Sequence, residues 1–581
     1  MVLNGKGAAP GAAVGGIFIY NEKFHIPSEA VVPSGEEQVH LDRYKLIKNQ
    51  VLNELDEIKL SVQKIDPGKA SIFEAHKEIA DDIIINEEIP AKILKEKWAG
   101  DWAIYQVYET VMSVLRKTND PLIAERAVDF DDVRARLLRL WYLKSDTNND
   151  NSISDDSKKQ NLSNLKEPVI IAAVDLKPSD TACLDREKVL AILTEQGGLT
   201  SHTAIIAKSY GIPAILGIKG LLENVKQGQL AAVDAQKGTV YLDPKDDVIE
   251  ELIKKSDTFR NDKMNAEHFK LNEGCTLCGE KIEIGLNVSN NNDEEINAQE
   301  FTDFAGLFRT EFLFMGRNKL PAEEEQFNSY KKVLECFGKK PVVIRLLDIG
   351  GDKQLASLEQ KKEDNPFLGN RGLRFCFSNP DIFKTQIRAC LRASVYGNLW
   401  LMLPMVGSLD DIKKAKEIIK DVKNTLLNEG EKIGEYKFGI MIEIPSIALI
   451  IDKIIEEIDF ASIGSNDLCQ YLCAADRMNS SVENYYQQYH PAMFRIIKDA
   501  VNVFIKEGKS VSICGELGSD PAAIPVLIGL GMRKLSMGAA SVASVKRTIA
   551  GLTVEKALKT AENVLALSTA GEIEEYLHER Q

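Results

Sequence analysis

The alternation of apolar and polar residues divides this 581-residue chain into stretches with different predicted structures. From residue 36 to residue 143, apolar side chains recur three or four positions apart with charged residues between them, which predicts a helical block. The polar residues 145–164 follow, and their richness in Asn, Ser and Asp is typical of a flexible connection. From Pro168 onward, short apolar runs joined by glycine-containing turns predict a small α/β domain. Its first strand is expected at residues 13–20, which would make the helical block an insertion.

The C-terminal half carries eight short apolar runs separated by helical patterns. Eight strand–helix units within about 300 residues predict a (β/α)8 barrel, whose active site lies at the carboxyl ends of the strands. The predicted fold class is therefore α/β: a C-terminal (β/α)8 TIM barrel plus an N-terminal α/β domain with an inserted helical subdomain. The apolar runs occupy residues 281–288, 304–309, 341–348, 399–405, 438–444, 460–467, 510–516 and 534–538. The expected boundaries are 1–32 with 165–245 for the α/β domain, 33–144 for the helical subdomain, 145–164 for the connection, 246–272 for a linker helix and 273–581 for the barrel.

The composition is that of an ordinary soluble protein with an acidic balance. There are 72 Lys and Arg residues against 87 Asp and Glu residues, and the resulting net charge of −15 argues against nucleic acid as the main ligand. No apolar stretch reaches the roughly 18 residues of a membrane-spanning helix, and the N-terminal residues do not resemble a secretory signal. We therefore expect a cytoplasmic protein with no direct membrane insertion.

The cysteines are nine in number and scattered, which is typical of reduced thiols and not of a disulfide framework. Cys275 and Cys278 form a C-x-x-C pair, a spacing also found in zinc and redox sites. No second pair with ligand spacing follows, so the sequence favours two loop thiols.

Polar residues end most of the predicted barrel strands. Any one of them could simply cap the following helix. As a set, they place two arginines and at least two carboxylates at one barrel mouth, where arginine forks suit phosphate or carboxylate and the carboxylates suit a hard divalent cation. These residues are Asn287, Arg309, Arg345, Asp348, Glu443, Asn466, Asp467, Cys514, Glu516 and Ser536.

One of the seven histidines, His202, follows a Gly-Gly turn at the predicted start of a helix over residues 200–210. Either Thr200 or Ser201 is expected to cap this helix, and Gly211 to end it. The N-terminus of a helix stabilises an attached phosphoryl anion and disfavours the imidazolium form, which leaves a nucleophilic neutral imidazole. The alternative is an ordinary exposed or capped histidine.

Several motifs resemble those of the phosphoenolpyruvate-utilising enzymes. The likeness covers nearly the whole chain apart from residues 145–164. The segment GGLTSHTAIIAKSYGIPAILG (197–217) is similar to their phosphohistidine domain. The segments similar to their barrel are LFRTEFLFM (307–315), LPAEEEQF (320–327), VIRLLDIGGDK (343–353), NPFLGNRGLR (365–374), IGSNDLCQY (463–471) and CGELGSD (514–520).

The resemblance implies a substrate site at the barrel mouth. Arg309 and Arg345 would bind the phosphate of phosphoenolpyruvate, with Arg477, Asn466 and Asp467 also contacting the substrate. The resemblance also implies which residues hold the metal ion and which take part in the chemical steps.

Glu443 and Asp467 would hold Mg²⁺, and His202 would accept the phosphoryl group. Cys514 resembles the family's proton donor, which converts the remaining enolpyruvate into pyruvate. Leu199 departs from the arginine usual before Thr-Ser-His, which leaves a catalytically weakened regulatory or docking homologue as one alternative.

The domain order and length resemble the branch of the family that starts sugar uptake by passing the phosphoryl group to the small phosphocarrier HPr. A homodimer through the barrel is implied by the same resemblance. HPr would dock on the helical block, where His76 and the acidic residues Glu74, Glu78, Asp81 and Asp82 either form a docking face or are a solvated charged surface. Another alternative, a relative of pyruvate phosphate dikinase, would need a nucleotide-binding domain that the helical pattern does not suggest.

Overall fold

The described part of the chain forms two compact units, Met1–Arg260 and Asn261–Gln581. A computed structural model describes residues 1–20, 26–33, 35–65, 70–117, 121–143, 162, 165–182, 184–198, 201–289, 296–315, 317, 319–351, 358, 363–479 and 481–579. The predicted connection at 145–164 lies outside these residues except for Leu162. No helix among the described residues is both long and apolar enough to cross a membrane.

The first unit is built on an eight-stranded mixed sheet with the strand order β1-β8-β7-β3-β4-β5-β6-β2. The strand Val169–Ala173, in the middle of this sheet, is buried on both faces, since all five of its residues are buried. Small helices α6 (Pro178–Ala182), α7 (His202–Tyr210) and α8 (Leu221–Asn224) connect the strands. The strands are β1 (Val2–Asn4), β2 (Lys6–Ala9), β3 (Ala12–Tyr20), β4 (Val169–Ala173), β5 (Val189–Thr194), β6 (Ala214–Leu216), β7 (Leu230–Asp234) and β8 (Thr239–Leu242).

Within the described residues, five helices stand between β3 and β4, although these two strands are neighbours that pair in parallel. Their buried faces form a separate core that includes Tyr44, Phe73, Tyr108 and Trp141. The helices are α1 (Glu37–Ile65), α2 (Ala70–Ala80), α3 (Ile83–Lys95), α4 (Gly100–Lys117) and α5 (Pro121–Leu143).

Gly100, at the start of α4, packs against the indole ring of Trp141. A Cβ atom at residue 100 would lie 2.1 Å from Cη2 of that ring, which is far inside van der Waals contact. We expect Gly100→Ala to lower the free energy of unfolding by about 1–3 kcal/mol, the usual cost of overpacking. Trp98, Trp102 and Trp141 are three of the four tryptophans, so fluorescence-detected urea unfolding measures this block. Gly571→Ala is the control, because its Cβ would meet nothing within 4 Å; equal midpoints for the two variants would contradict the prediction.

His76 does not form part of an exposed docking face. Its side chain is only 1% exposed and lies between two carboxylates of α5, with Nε2 3.3 Å from Asp129 and Nδ1 3.4 Å from Asp132. The acidic residues around it behave differently, since Glu74 pairs with Lys59 and half of its side chain remains exposed. The interpretation of His76 as a surface residue is therefore wrong, because α5, more than fifty residues later in the chain, covers it.

The second unit contains a closed barrel of eight parallel strands in chain order, β9 to β16. The predicted fold class is therefore confirmed. An apolar group within the barrel comprises Leu307, Val343, Trp400, Met402, Met441, Phe460 and Cys514. The strands are β9 (Glu283–Val288), β10 (Phe304–Phe308), β11 (Pro341–Arg345), β12 (Asn398–Leu403), β13 (Tyr436–Ile442), β14 (Phe460–Gly464), β15 (Ser510–Cys514) and β16 (Lys534–Met537).

Amphipathic helices connect the strands and pack their apolar stripes outside the barrel, as in α17, whose buried residues recur with helical spacing. The preceding α9 (Asp246–Glu267) is mostly exposed, in keeping with the narrow apolar stripe seen in the sequence. The helices of the second unit are α10 (Glu323–Phe337), α11 (Leu373–Ser378), α12 (Pro380–Ala393), α13 (Leu409–Asn428), α14 (Pro445–Leu449), α15 (Ile451–Ile454), α16 (Ser465–Leu472), α17 (Pro491–Lys506), α18 (Ile524–Gly529), α19 (Ala539–Ala550), α20 (Val554–Ala566) and α21 (Ala570–His578).

Candidate active site

The carboxyl ends of the four barrel strands β11, β13, β14 and β15 bring a group of polar and charged side chains together. Arg345 is the last residue of β11, and Glu443 follows β13 directly. Asp467 lies in the first turn of α16, which begins where β14 ends, and Cys514 is the last residue of β15. All four are at least nine-tenths buried. Parallel strands end at the same rim, so four residues far apart in sequence share one site.

Arg371 lies at the centre of this group and was not among the residues selected from the sequence. Its guanidinium is 1% exposed. Nε and Nη2 donate to the two oxygens of Asp348 at 3.1 and 3.0 Å, which is a forked ion pair. Nη1 donates to Asp467 Oδ1 at 2.8 Å and to the hydroxyl of Tyr471 at 3.1 Å. Arg371 thus connects the loop after β11 with the helix after β14.

Arg345 has a different set of partners. Nη2 donates to Glu311, a buried carboxylate that the sequence analysis also missed, and Nη1 lies 3.3 Å from Asp348 Oδ2. Its Nε is buried and has no hydrogen-bond partner among the described residues. A buried N–H without a partner is costly, and a bound oxyanion would satisfy it.

Glu443 is oriented by the backbone N–H of Met405, a residue in the left-handed conformation. Its Oε1 accepts a 2.6 Å hydrogen bond from the backbone N–H of Met405, a non-glycine residue with a φ of 54°. Left-handed backbone of this kind is strained for a side chain such as methionine and is often retained where it aims a functional group. The other oxygen, Oε2, is buried without a hydrogen-bond partner in the described structure. Burial, with the negative charges of Asp467 and Asp348, raises the pKa of Glu443 to about 7.

Asp467 has the opposite electrostatic balance. Burial acts to raise its pKa, but the charges of Arg371 and Arg477 outweigh that effect and hold the pKa of Asp467 below its ordinary value. The Arg477 guanidinium lies 3.8 Å from Asp467 Oδ1. Asp467 is therefore ionised at neutral pH. The neighbouring carboxyl group of Glu443 differs, because burial disfavours its anionic form.

These two carboxylates are suitable ligands for a hard divalent cation. The described residues contain no cluster of three or more His, Cys, Asp or Glu side chains that would form an all-protein cage. Magnesium commonly takes only one or two carboxylates and completes its shell with water and substrate oxygens. Glu443 Oε2 has no hydrogen-bond partner in the described structure, and burial with two nearby carboxylates raises the pKa of this residue although Arg345 and Arg371 act to lower it, so a bound cation would further stabilise its anionic form. The donor set thus fits a site that is completed by substrate.

Cys514 is buried at the end of β15, within the barrel. Its Sγ accepts a hydrogen bond from the Ser462 hydroxyl at 3.4 Å and donates to the Ile463 carbonyl at 3.5 Å. Burial raises the pKa of the Cys514 thiol above its ordinary value, although Ser462 and the positive charge of Arg345 act in the other direction. The group is a protonated thiol at neutral pH and can act as an acid.

The remaining predicted residues differ in their exposure, from exposed Arg309 to fully buried Ser536. Arg309 follows β10 and is exposed, yet its charge is close enough to influence Cys514. Asn466 accepts hydrogen bonds at its side-chain oxygen from the backbone N–H of Glu516 and from Gln488, at 3.1 and 3.3 Å. The strand-end residues Asn287 and Ser536 bond to each other, with Ser536 Oγ donating to Asn287 Oδ1 at 2.6 Å.

In the first unit, His202 is the first residue of α7. Ser201 is the N-cap, and its side chain accepts a hydrogen bond from the backbone N–H of Ala204. Gly211 ends the helix in the left-handed conformation, with a φ of 65°. The predicted cap and helix end are confirmed, whereas Leu199 and Thr200 lie outside the described residues. The backbone of His202 therefore lies at a helix N-terminus, the kind of position that favours a bound anion.

The two cysteines of the C-x-x-C pair are not joined by a disulfide. Both thiols are free, and Cys278 lies on the surface, where its Sγ is 3.3 Å from the Thr276 hydroxyl. This hydrogen bond lowers the pKa of Cys278.

The barrel contains buried arginines and carboxylates, and the first unit carries a histidine at a helix N-terminus. This combination defines a phosphoryl-transfer enzyme with a barrel domain. Three family models match the chain: PEP-utilising enzyme, N-terminal, at residues 4–126; PEP-utilising enzyme, mobile domain, at 165–238; and PEP-utilising enzyme, PEP-binding domain, at 263–554. The chain therefore belongs to the family of phosphoenolpyruvate-utilising enzymes, as its motifs had indicated.

Relatives that match nearly the whole length of this chain show which branch of the family it is similar to. A protein named phosphoenolpyruvate-protein phosphotransferase from Bacillus subtilis (strain 168) is 37% identical over 581 residues, covering 99% of both chains. A protein of the same name from Staphylococcus carnosus (strain TM300) is also 37% identical and covers 99% of this chain and 98% of its own. A third, from Bacillus sp. (strain S), is 39% identical over 92% of this chain and 91% of its own. The likeness extends through both units.

Proposed function

We propose that this chain transfers the phosphoryl group of phosphoenolpyruvate to His202, releases pyruvate, and passes the group on to the phosphocarrier HPr as the first step of sugar uptake. The likeness to phosphoenolpyruvate-protein phosphotransferases over nearly the whole chain supports the reaction. The observation that carries the residue assignment is the buried array in which Arg371 joins Asp348 to Asp467 beside Arg345 and Glu443.

Arg345 and Arg309 bind the phosphate in this proposal. Arg345 offers a buried N–H that lacks a partner, and Arg309 offers an exposed guanidinium at the same rim. Asn466, on α16, and Arg477, in the turn after α16, contact the rest of the substrate together with Asp467. Arginine forks match phosphate and carboxylate geometry, so a substrate with both groups is well suited to this site.

Glu443 and Asp467 would hold Mg²⁺, which supplies neutralising charge to substrate oxygens when it is bound. The chain itself fixes the orientation of both carboxylates. Met405 orients Glu443 through its backbone N–H, and Arg371 orients Asp467 through its side chain.

His202 is the nucleophile, and its position at the N-terminus of α7 favours a neutral imidazole before transfer and an anionic group after it. As the bond between His202 nitrogen and phosphorus forms and the bond between phosphorus and the enol oxygen breaks, the enolate of pyruvate is left, and it takes a proton on its methylene carbon. Cys514 supplies this proton from its thiol, and the product is pyruvate. Conversion of the enol to the ketone makes the transfer favourable.

The test is labelling with phosphoenolpyruvate that carries a radioactive phosphoryl group, with Mg²⁺ present. Stoichiometric, acid-labile label is expected, and digestion at alkaline pH should place it in the peptide of residues 189–208, in which His202 is the single histidine. His202→Ala should take up no label, whereas the control His268→Ala should label normally. Added HPr should remove the label from the wild type.

Each alternative gives a different result. Label that persists in His202→Ala, or that maps to another peptide, would contradict the assignment of the acceptor. Absence of label in the wild type would favour the regulatory or docking homologue suggested by Leu199. Transfer of the label to AMP and pyrophosphate acceptors instead of HPr would favour a dikinase relative.

Glu443→Gln tests the metal site. The amide keeps an oxygen that can accept from the Met405 N–H but loses the negative charge, so the loop geometry should survive. We expect the Mg²⁺ concentration for half-maximal activity to rise at least about tenfold. Glu417→Gln, at an exposed position of α13, is the control and should leave it unchanged. An unaltered Mg²⁺ requirement in Glu443→Gln would remove Glu443 from the metal site.

The proposal extends to location and assembly. We place the enzyme in the cytoplasm, as a homodimer that associates through the barrel domain, with HPr docking on α1 to α5. The domain boundaries of the sequence analysis, with 33–144 as the HPr-binding subdomain, are part of this proposal.

A further inference from the structure

Two cysteines share one face of the helix that carries Asn466 and Asp467. Cys469 lies within α16, and Cys473 is its C-cap, four residues later. Residues at this spacing are neighbours on a helix surface. Cys469 is buried, whereas Cys473 is partly exposed, and the backbone N–H of Cys473 donates to the Cys469 carbonyl at 2.9 Å, which places the two residues on adjacent turns. Neither cysteine has a role in the proposed transfer reaction.

We propose that Cys469 and Cys473 form a dithiol site that a low-molecular-weight disulfide oxidises to an intramolecular disulfide, and that this oxidation reversibly switches off the substrate site. The effect on activity rests on the proposed function, whereas formation of the disulfide does not.

Cys473 is the thiol that reacts first. The hydrogen bond from Cys469 lowers the pKa of Cys473 to about 6 against the opposing effect of partial burial, and the backbone N–H of Gln487 and the charge of His490 lower it further. The thiolate is the nucleophile in exchange, so a partly exposed thiolate is the reactive form at neutral pH. Cys514 is the contrasting case, because it is buried and protonated.

The exchange balances in two steps. The Cys473 thiolate attacks one sulfur of the small disulfide, forms a mixed disulfide and releases the first small thiolate. Cys469 then loses its proton, its sulfur attacks the Cys473 sulfur, and the second small thiolate leaves. The two cysteines are oxidised by two electrons, and the small disulfide is reduced to one thiolate and one thiol, which carries the proton from Cys469.

Closure of this bond must deform the end of α16. The Cβ atoms of residues four apart on a helix are about 5–6 Å apart, and a disulfide needs about 4 Å. The last turn is therefore drawn together. The turn that follows is tied to the helix, because the Ala475 N–H donates to the Gln470 carbonyl and the Arg477 N–H donates to the Gln470 side chain.

Deformation here reaches the substrate residues directly. Arg477 ends the turn and lies 3.8 Å from Asp467, while Tyr471, on the same helix, accepts a hydrogen bond from Arg371 and donates to the Phe367 carbonyl at 2.6 Å. A shift of the last helical turn would move Tyr471 and Arg477 relative to Arg371. A displacement of about 1 Å in a catalytic array can cost about 100-fold in rate.

The experiment treats the full-length protein with oxidised glutathione, alkylates the remaining thiols and digests with trypsin. The peptide of residues 454–477 contains Cys469 and Cys473 and no other cysteine. It should be recovered without alkylation and about 2 Da lighter than its reduced form, because two hydrogen atoms have left. The rate of labelling by phosphoenolpyruvate should fall at least about tenfold and return after dithiothreitol.

Variants separate this pair from the other thiols. Cys473→Ala and Cys469→Ala should keep their labelling rate under oxidant, whereas the control Cys275→Ala/Cys278→Ala should lose it as the wild type does. The proposal is overturned if the 454–477 peptide remains doubly alkylated, if its disulfide forms without loss of rate, or if Cys473→Ala is inactivated as fast as the wild type. A reduced wild type that takes up no label would instead refute the proposed function, and the peptide mass would still report on the disulfide.

Discussion

Arg371→Lys is expected to lower kcat/KM for phosphoenolpyruvate-dependent phosphorylation by at least about 100-fold. The guanidinium forks onto both oxygens of Asp348 while its third nitrogen reaches Asp467. A lysine ammonium is a single point of charge and cannot make this forked contact together with the bond to Asp467. Asp467 would lose a partner that holds its pKa down and fixes its orientation. The measurement is steady-state pyruvate release with HPr as acceptor.

Loss of a buried ion pair also lowers stability, so the kinetic effect needs a separate reference. Arg388→Lys is the matched control, because Arg388 forms a comparable fork with Glu323 and Glu429 at a more exposed position of α12. Thermal unfolding of both variants shows whether each is folded at the assay temperature. A folded Arg371→Lys enzyme with kcat/KM within threefold of the wild type would show that the array is structural only.

The barrel strands were predictable because of how a parallel barrel is covered. Its strands are buried on both faces and therefore read as continuous apolar runs. The run Asn398–Leu403 has five consecutive buried residues, and Phe460–Gly464 is buried throughout. Polar residues directly after such runs mark the strand ends, which is how Arg345, Glu443 and Asp467 were found. Their convergence follows from the topology alone.

Arg371 and Glu311 were missed for the opposite reason. Neither ends a strand, and both lie in connections that have no apolar period to mark a buried residue. Their burial results from packing against residues distant in sequence, such as Asp467, which is 96 positions from Arg371. One local signal existed: Arg371 directly precedes Gly372, which has a φ of 58° and whose Cβ would lie 2.7 Å from Met405 Cγ. A charged residue beside a sterically required glycine is a candidate for such a site.

His76 was misjudged because charge in the sequence does not report exposure. Its own helix, α2, presents acidic neighbours that suggest a solvated face. The residues that cover it, Asp129 and Asp132, come from α5 and are visible only in the fold. Cys473 illustrates the same point, since its low pKa depends on Gln487 and His490 as well as on its helical neighbour.

Cys514→Ala is expected to lower the rate of pyruvate formation by about 100- to 10,000-fold, the usual contribution of a general acid. Without the thiol proton, enolpyruvate remains in the site, and the phosphoryl group on His202 can return to it. Cys390→Ala is the matched control, because Cys390 is an equally buried thiol on α12. Coupling pyruvate release to lactate dehydrogenase measures both variants. A Cys514→Ala rate equal to that of Cys390→Ala would exclude Cys514 as the proton donor.

The pH profile provides an independent test of the same residue. Burial raises the pKa of Cys514 above its ordinary value of 9.0, so the acid form is present throughout the neutral range and is lost only as pH rises past the raised value. The rate of pyruvate formation should therefore not decline on account of this group below pH 9.0. In Cys514→Asp a carboxyl group, which has a lower ordinary pKa than a thiol, replaces the proton donor. The decline of the pyruvate-formation rate at alkaline pH should therefore move to lower pH in this variant. A wild-type decline centred near the ordinary pKa of an exposed thiol, unmoved in Cys514→Asp, would assign the proton to a different group.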